Sequence, residues 1–365
     1  MTDPERGVVT CDPWPIGGPL DCAADEAHLP GEPGCARLGT PCPTGEWPEG
    51  LPATGVLYVR AGGGSGGDGT TASPFGTIGE ALAAATTETV VALGRGTFDE
   101  AVVLPPGVTL WGACVAETVV ASSTPSDTEA TVQVTGDASA LRNLRIGGER
   151  MGVLVRGIDA SLRLDDVVIA SARVRGMLVT AGAALVAENM VIRDTRPQSD
   201  GSRGGGLIVW EGSTVTIARA AFWGNRMGAI MALDPATSVR LEDVAVRDTL
   251  AMEADGLLGR GLDCEAGAQV EVARAAFEGN REIGVVAYDA TTSVVLTDVV
   301  VRDTQVQEAA GLYGTGLEVA GGAELRAERV LLDGNRSAGA MVYNGGLLVV
   351  ADLVIRDTES ELATA

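Results

Sequence analysis

The chain has 365 residues, a formal net charge of −23 and 50 glycines, and only 4% of its residues are aromatic. It contains no lysine, which excludes a P-loop, a Schiff-base nucleophile and a lysine general base. Nucleic acids and anionic membranes are poor partners, because binding to phosphates needs an excess of cationic side chains. The core must therefore come from Ala, Val, Leu and Ile on short strands joined by tight turns.

Residues 1–54 form a lead segment that is rich in proline and glycine and has few apolar residues to build a core. Four of the six cysteines lie in it: Cys11, Cys22, Cys35 and Cys42. This spacing in an acidic chain predicts a small disulfide-stapled module and an oxidising compartment, and it leaves three pairings open. A zinc site is the alternative reading, although the segment has no C-x-x-C pair. The only histidine, His28, is expected to pack within this segment.

No stretch of 18 apolar residues occurs in the sequence, so no membrane-spanning helix is predicted. The first residues also lack the apolar region of a signal peptide. Taken with the cysteines, these features lead us to expect a secreted or surface-displayed protein whose signal peptide is not present in this chain.

Residues 55–129 are predicted to hold a first strand, a capping helix and the first coils of a repeat. Leu57–Val59 has the pattern of a strand, and Ser73-Pro74 begins a helical stretch in which apolar residues share one face. That face carries Ile78, Leu82 and Ala85. Further strands are predicted at Val90–Leu93, Ala101–Leu104 and Val108–Trp111.

Residues 130–365 repeat themselves. The motif Val-Ile-Arg-Asp-Thr or a close variant recurs, and Gly-Asn-Arg stands between its copies. Alignment on the Asx position gives one predicted column of corner residues: Gly148, Ser171, Asp194, Asn225, Asp248, Asn280, Asp303, Asn335 and Asp357. After Asp194 the steps alternate between 31–32 and 22–23 residues. A coil of about 23 residues is too short for a βαβ unit, but it suits one turn of a parallel β-helix.

The sequence therefore predicts an all-β fold, a right-handed parallel β-helix in which each coil carries three short strands. The longer steps contain insertions at Arg196–Gly204, Leu250–Gly259 and Gln305–Gly314. Because these recur in every second coil, we expect three loops that protrude from one side in a row.

The protruding loops are the best candidates for a binding site, because they break the repeat on a rigid scaffold. Their candidate binding residues are Asp200, Glu253, Asp255, Glu308 and Tyr313. Such a mixture of carboxylates and an aromatic ring suits a sugar chain or a calcium ion. Solvated loop surface is the alternative interpretation. No catalytic residue and no other metal site is predicted.

Other conspicuous residues have plainer interpretations. The repeated Arg-Asp pairs are expected to serve turn geometry and surface ion pairs. Trp210 and Trp223 suit sugar stacking, but packing against the scaffold is the more common role of tryptophan. Cys264 falls at an inward strand position, so we expect an inert core thiol, whereas Cys114 is either free or bonded to the lead segment.

Five segments near the start of the repeat form a recognisable series: Gly67–Gly69, Ser73–Ile78, Ala81–Ala85, Gly96–Glu100 and Val108–Gly112. In this order they resemble the opening part of secreted right-handed β-helix proteins of the pectin-lyase-like superfamily, pectin methylesterases included. The resemblance covers about residues 56–358 and omits the lead segment. It implies the fold and a helix that caps the first coil, but no single activity, because the fold hosts lyases, hydrolases, esterases, epimerases, adhesins and phage spikes.

The catalytic sets of two branches are missing. Glycoside hydrolases of this fold carry Gly-His-Gly and Arg-Ile-Lys motifs, whereas this chain has one histidine, in the lead segment, and no lysine. The methylesterases use a glutamine pair, whereas Gln133 is the only glutamine in the early coils. Pectate lyases use calcium held by acidic residues and an arginine as base, and these residue types are present.

The sequence predicts a non-catalytic extracellular or surface β-helix that acts as a binding or structural module for carbohydrate or a cell-surface partner. The alternative is a calcium-dependent polysaccharide lyase that acts on acidic glycans. No cofactor is expected, and calcium is the one cation to consider. The last coil would leave strand edges open unless further chain or a partner covers them.

Overall fold

The computed structural model describes residues 13–14 and 18–360, so the predicted disulfide candidate Cys11 lies outside the described residues. The described chain is a right-handed parallel β-helix with one short helix, which confirms the predicted fold. None of its helices is both long enough and apolar enough to cross a membrane.

The lead segment and the first coils contain short elements. An antiparallel ribbon in the lead segment pairs β1 (Glu26–Ala27) with β2 (Ala36–Arg37). The helix that follows the first strand of the β-helix is α1 (Ile78–Ala84). The strands of the first coils are β3 (Val56–Val59), β4 (Val90–Leu93), β5 (Gly96–Phe98), β6 (Val102–Leu104), β7 (Thr109–Gly112), β8 (Thr118–Ser122) and β9 (Ala130–Val134).

The regular coils alternate a ten-residue strand with a shorter one. The long strands are β10 (Ser139–Gly148), β12 (Ser161–Ala170), β14 (Ala184–Arg193), β16 (Thr214–Trp223), β18 (Ser238–Arg247), β20 (Gln269–Glu278), β22 (Ser293–Arg302), β24 (Glu324–Asp333) and β26 (Leu347–Arg356). The short strands are β11 (Met151–Arg156), β13 (Arg175–Thr180), β15 (Gly205–Val209), β17 (Gly228–Leu233), β19 (Arg260–Glu265), β21 (Ile283–Tyr288), β23 (Thr315–Ala320) and β25 (Ala340–Val342).

These strands form two parallel sheets in which each strand pairs with the equivalent strand of the coils before and after it. The long-strand sheet runs from β26 down to β10 and continues through β7, β4 and β3. The short-strand sheet runs from β25 down to β11 and continues through β9 and β6. Each coil contributes one strand to a sheet, which we call a rung, and neighbouring rungs are about 4.8 Å apart.

Each long strand bends at one residue with a left-handed backbone, so the two sheets enclose the core from three directions. The residues at this bend are Asn143, Asp166, Asn189, Arg219, Asp243, Arg274, Asp298, Arg329 and Asp352. Asn and Asp tolerate this conformation best among residues with a side chain. Two of the three strands predicted for each coil are therefore halves of one continuous, bent strand.

The corner after each long strand agrees with the predicted column at Gly148, Ser171 and the four aspartates, but at each Gly-Asn-Arg motif it lies one residue earlier than predicted. The register pairs Arg193 with Trp223, so the next residues, Asp194 and Gly224, share the corner position. Both have a positive φ, and the same holds for the later corners. The asparagines of the Gly-Asn-Arg motif lie one position later, and the predicted alignment of Asn225 with Asp194 is wrong.

These asparagines form a buried ladder with threonines. The Thr195 hydroxyl donates to Asn225 Oδ1 at 2.7 Å, and Asn225 Nδ2 donates to the Ile192 carbonyl at 2.9 Å. Equivalent bonds join Thr249 to Asn280 at 2.6 Å. A buried amide can stay inside the corner because both its donor and its acceptor are satisfied.

The core is an unbroken stack of small aliphatic side chains from both sheets, with Phe222 and Phe277 among its largest members. Helix α1 begins at Ile78 behind a capping box formed by Thr77 and Glu80, and it buries Ile78 and Ala81 in this core. Cys264 points inward as predicted and is fully buried, which raises the pKa of its thiol.

The lead segment lies along the second halves of the long strands. Among the described residues its disulfides are Cys22–Cys35, within the segment, and Cys42–Cys114, which confirms the predicted alternative that Cys114 is bonded to the lead segment. The second bond joins the segment to the coil after β7. Trp14, Leu29 and Leu38 pack there on an outward column of small side chains. That column contains Val168, Val191, Ala221, Ala245 and Ala276.

Candidate functional site

The three protruding loops lie side by side, as predicted from their recurrence in every second coil. The Ala254 amide donates to the Gly201 carbonyl at 3.0 Å, and the Ala309 amide donates to the Gly256 carbonyl at 3.1 Å. Each loop leads directly into a short strand. Together they form a wall along the edge of the short-strand sheet where its strands begin.

The four carboxylates predicted as loop ligands hold the loops themselves. Asp200 accepts a hydrogen bond from the Ser202 amide at 2.9 Å, and bonds to Ser202 lower the pKa of Asp200. Asp255 makes the same kind of turn with the Leu257 amide at 3.0 Å. Glu253 pairs with Arg226 at 2.8 Å, and Glu308 pairs with Arg281 at 3.0 Å. The structure does not bring these four acids together.

Tyr313, the fifth predicted loop residue, lies instead at a pocket of about 270 Å³ on the outer face of the short-strand sheet. Tyr288 and Tyr343 line the same pocket from the edge where the short strands end. The three rings are 36–41% exposed. The chain has four tyrosines, and the remaining one, Tyr58, packs against Trp47 in the first coil. We call this site, with Tyr288, Tyr313 and Tyr343, the tyrosine pocket.

The floor of the tyrosine pocket contains Arg260, a largely buried arginine that contacts three carboxylates. Arg260 donates to Asp263 Oδ2 at 3.0 Å and to Glu265 Oε1 at 2.9 Å through the same nitrogen. Its other terminal nitrogen donates to Glu282 Oε1 at 2.9 Å. Burial alone would lower the pKa of Arg260, but the three carboxylates outweigh it and raise the pKa. Arg260 is therefore a fixed cation.

Glu282 is itself held from the loop wall. Its second oxygen accepts hydrogen bonds from the Leu258 amide at 2.7 Å and from Gln307 Nε2 at 3.0 Å. Glu282 therefore joins two successive loops of the wall to the floor of the pocket. This arrangement fixes the wall relative to the sheet face, as a preorganised binding site requires.

The carboxyl group of Asp263 has a pKa near neutral pH in this cluster. Only 3% of the residue is exposed, and burial together with the neighbouring carboxylate of Glu265 raises the pKa of Asp263 to about 7, against the lowering effect of Arg260. Its Oδ1 atom has no hydrogen-bond partner among the described residues. One of the three carboxyl groups around Arg260 therefore changes its charge near neutral pH.

Glu318 extends the polar floor by two rungs. The Tyr343 hydroxyl donates to Glu318 Oε1 at 2.7 Å, and this bond, with burial and the charge of Glu318, raises the pKa of Tyr343 to about 12. Glu318 Oε2 is buried and has no partner among the described residues. In register, Asp263 and Glu318 stand on either side of Val286 in one outward column.

Sequence reasoning missed most of this site. Tyr288, Tyr343 and the buried charges were not predicted. The available signal was a break in the outward column of the short-strand sheet, which is apolar at Leu154, Leu178, Ile208 and Met231 and becomes acidic at Asp263. That break is readable only once the register of the short strands is known.

The two tryptophan candidates have different surroundings. Trp223 lies between the guanidinium groups of Arg193 and Arg247, at 5.7 and 5.4 Å, and packs against the cluster under the lead segment. Trp210 is 40% exposed at the end of β15. By register, Trp210 lies in the same edge column as Tyr288, three rungs away.

The described residues contain no group of three or more His, Cys, Asp or Glu side chains arranged to hold a metal ion.

Comparisons with known proteins identify the fold. Neither a family model nor a curated protein matches the sequence. Among solved structures, the pectate lyase Pel9A is 15% identical, with a TM-score of 0.58 over 86% of this chain and 81% of that chain. An alginate lyase from a Paenibacillus species is 15% identical, with a TM-score of 0.49 over 75% of this chain and 95% of that one. Pectin methylesterase PemA from Erwinia chrysanthemi is 10% identical, with a TM-score of 0.38 over 83% and 92%. The chain therefore has the right-handed parallel β-helix fold, which it shares with the pectate lyase Pel9A.

Proposed function

We propose that the protein is a secreted or surface-displayed glycan-binding module and that its ligand occupies the tyrosine pocket. The observation that carries this proposal is the convergence of three of the chain's four tyrosines on one pocket. Only 4% of the residues in the chain are aromatic, and the core is built mainly from aliphatic side chains. The three clustered tyrosines therefore have no role in the core.

The chemistry of the tyrosine pocket suits sugar rings. A tyrosine offers an apolar face to the carbon atoms of a sugar and a hydroxyl group to its polar edge. Glu318 Oε2 is a buried acceptor without a partner among the described residues, and sugar hydroxyls are donors. Rigid aromatic anchors beside fixed polar groups are the usual composition of a small-ligand site.

The charge of the pocket selects among glycans. Its lining includes Glu265, Glu282, Asp289 and Glu318, against the single cation Arg260. A polyuronate chain would meet like charges here, which disfavours its binding. We therefore expect neutral sugars, or sugars that carry an amino group, to bind at this pocket.

The remaining features fit an extracellular protein. Cys22–Cys35 and Cys42–Cys114 are disulfides of the kind that persist in oxidising compartments. The β-helix supplies a rigid platform, and the fold by itself does not choose between binding and catalysis.

The lyase alternative finds no support at the tyrosine pocket. Its arginine, Arg260, has a raised pKa and three carboxylate partners, so it is unsuited to act as a base. Incubation with polyuronates and calcium, with absorbance of unsaturated products as the readout, tests this alternative directly. A signal that Arg260→Gln abolishes would replace glycan binding with lyase activity as the function.

Glycan-array binding tests the proposal with two pocket variants. Tyr313→Ala and Tyr343→Ala should each weaken binding by at least about tenfold, because each removes a stacking face. Tyr343→Phe keeps the ring and should retain most of the affinity. Leu312→Ala is the matched control, since Leu312 is an exposed neighbour of Tyr313 outside the pocket lining.

Two results would contradict the proposal. One is binding by Tyr313→Ala and Tyr343→Ala that is as strong as that of the wild type. The other is a loss of binding by Leu312→Ala as large as that of Tyr313→Ala, because it would assign the effect to loop disturbance. Thermal melting of each variant confirms that the fold is retained.

A further inference from the structure

A second arginine occupies the position of Arg260 three rungs down the short-strand sheet. Arg175 pairs in register with Gly205, and Gly228 pairs with Arg260, with β15 and β17 adjacent between them. Each arginine begins a short strand and is followed by a glycine, Gly176 or Gly261. The two positions are about 14 Å apart at the spacing of rungs.

The surroundings of the two arginines are opposite in charge. The outward residues along β19 are Asp263 and Glu265, which pair with Arg260. The residues at the same register positions on β13 are Leu178 and Thr180. Arg175 has no carboxylate partner among the described residues, and the Thr180 hydroxyl already donates to Glu211 at 2.8 Å. Arg260 is therefore surrounded by carboxylates, whereas Arg175 at the equivalent position has none as a partner among the described residues.

Arg203 belongs to the first protruding loop, and the loop runs beside Arg175 because the Gly204 amide donates to the Val174 carbonyl at 3.0 Å. Burial, followed by the charge of Arg203, lowers the pKa of Arg175 to about 10. The Nε atom of Arg175 is buried and has no hydrogen-bond partner among the described residues. Asp200 attracts Arg203 through its charge, but the hydrogen bonds of Asp200 go to Ser202. Two guanidinium groups held together without a carboxylate in direct contact among the described residues are a candidate for function.

The pair is unusual among the arginines of this chain. In the described part of the chain, nearly every arginine contacts a carboxylate, a backbone carbonyl or an aromatic ring. The exceptions are Arg156, Arg175 and Arg203. The floor beside Arg175 is a small apolar cluster that includes Met151, Leu154 and Leu178. An apolar floor excludes water and strengthens the interaction of a guanidinium group with an anion.

We propose that Arg175 and Arg203 form a binding site for an oxyanion, a carboxylate or a sulfate group. A guanidinium group binds either anion with two parallel hydrogen bonds. The apolar cluster beside Arg175 accepts the carbon face of a sugar that carries the anion. This site is separate from the tyrosine pocket and does not depend on glycan binding there.

Calorimetric titration in a low-salt buffer free of oxyanions tests the site with four probes: sodium sulfate, sodium acetate, sodium glucuronate and glucose. We expect binding of the anions and none of glucose. Arg175→Gln and Arg203→Gln should each weaken anion binding by at least about tenfold. Arg156→Gln removes a partnerless arginine at the opposite edge of the sheet and should change the affinity by less than about twofold.

The source of the anion follows from the same titrations. A glucuronate affinity above that of acetate identifies a sugar acid, and equal affinities identify a free anion; both results support the site. In spectra of protein labelled with ¹⁵N-arginine, sulfate should shift the Nε–Hε resonance that Arg175→Gln removes.

A stability readout separates binding from a structural role. Without anion, Arg175→Gln should melt at the wild-type temperature or above it, because it removes a repelled, half-buried charge. The proposal is overturned if sulfate and glucuronate leave the Arg175 resonance unmoved, if both glutamine variants keep wild-type affinity, or if Arg156→Gln loses as much affinity as they do.

Discussion

The outer surfaces of the two sheets follow different rules. On the long-strand sheet, an arginine at the bend pairs with the bend residue of the preceding coil, every second coil. These pairs are Arg219 with Asn189, Arg274 with Asp243, and Arg329 with Asp298. On the short-strand sheet, Arg175 and Arg260 share a column but have opposite surroundings. Stacking of rungs favours repetition, so positions that depart from it indicate selection for something other than the scaffold.

The largest expected effect comes from the bond that holds the lead segment to the long-strand sheet. Replacing both cysteines of Cys42–Cys114 with alanine opens a link across 72 residues and should lower the free energy of unfolding by about 4 kcal/mol. The matched double variant at Cys22–Cys35, which spans 13 residues, should lose about 3 kcal/mol. Chemical denaturation measures both.

A larger loss at Cys22–Cys35 than at Cys42–Cys114 would contradict this ranking. It would mean that the internal loop of the lead segment contributes more than its attachment to the β-helix. The bond that attaches the lead segment to the long-strand sheet would then not be the main stabilising link of that segment.

The second prediction concerns the irregular sheet and its pH dependence. Because the pKa of Asp263 is raised to about 7, the folded protein keeps a proton between about pH 4 and pH 7 that the unfolded chain has released. The free energy of unfolding must therefore fall as pH rises through that window. Asp263→Asn removes this dependence and should be more stable than wild type at pH 8, by on the order of 2 kcal/mol. Near pH 4 the difference should vanish.

Asp200→Asn provides a control of opposite sign. The hydrogen bonds from Ser202 lower the pKa of Asp200, so its stabilising effect is present above its ordinary pKa and lost in acid. Thermal melting from pH 2 to pH 8 compares the two variants with wild type, with the Asp200 effect expected below about pH 4 and the Asp263 effect above it. A difference between Asp263→Asn and wild type that stays constant across this range would disprove the buried proton.

The smallest effect is expected on the repeating surface. Arg240 and Glu271 pair at 2.9 Å on neighbouring long strands, and both side chains are more than 60% exposed. Removing both with alanine should change the free energy of unfolding by less than about 1 kcal/mol. A loss above 2 kcal/mol in denaturant titrations would show that such pairs are structural and not merely solvated.

The fold was predictable because the repeat has a readable period and each coil obeys the same pattern. The corner register was predicted one residue off at the Gly-Asn-Arg motifs, since Asp194, Gly224 and Asn225 all belong to types that favour turns. Only packing shows that Asn225 is the buried member of an internal ladder while Gly224 has the positive φ. A bond from Cys114 to the lead segment was one of two predicted alternatives, but the choice of Cys42 could not be predicted, because the two cysteines lie 72 residues apart.

The tyrosine pocket could not be predicted for a related reason. Arg260 and Tyr343 are far apart in sequence, and they share a pocket only because β19 and β25 lie three rungs apart on one sheet face. The loop acids attracted attention by their position in insertions, yet Glu253 and Glu308 serve repeated ion pairs. Tyr313 is the one predicted residue that the structure places at the pocket.

The path of the lead segment has a consequence for how the molecule unfolds. A solenoid held only by neighbouring repeats can fray from either end, one coil at a time. Here Thr40 contacts Asn143 on β10, Glu32 contacts Arg219 on β16, and Trp14 contacts Glu278 on β20. The lead segment contacts all of these coils. Unfolding of one coil must therefore also break contacts of the segment with coils several rungs away. That long-range coupling turns a chain of local transitions into a cooperative block spanning β10 to β20.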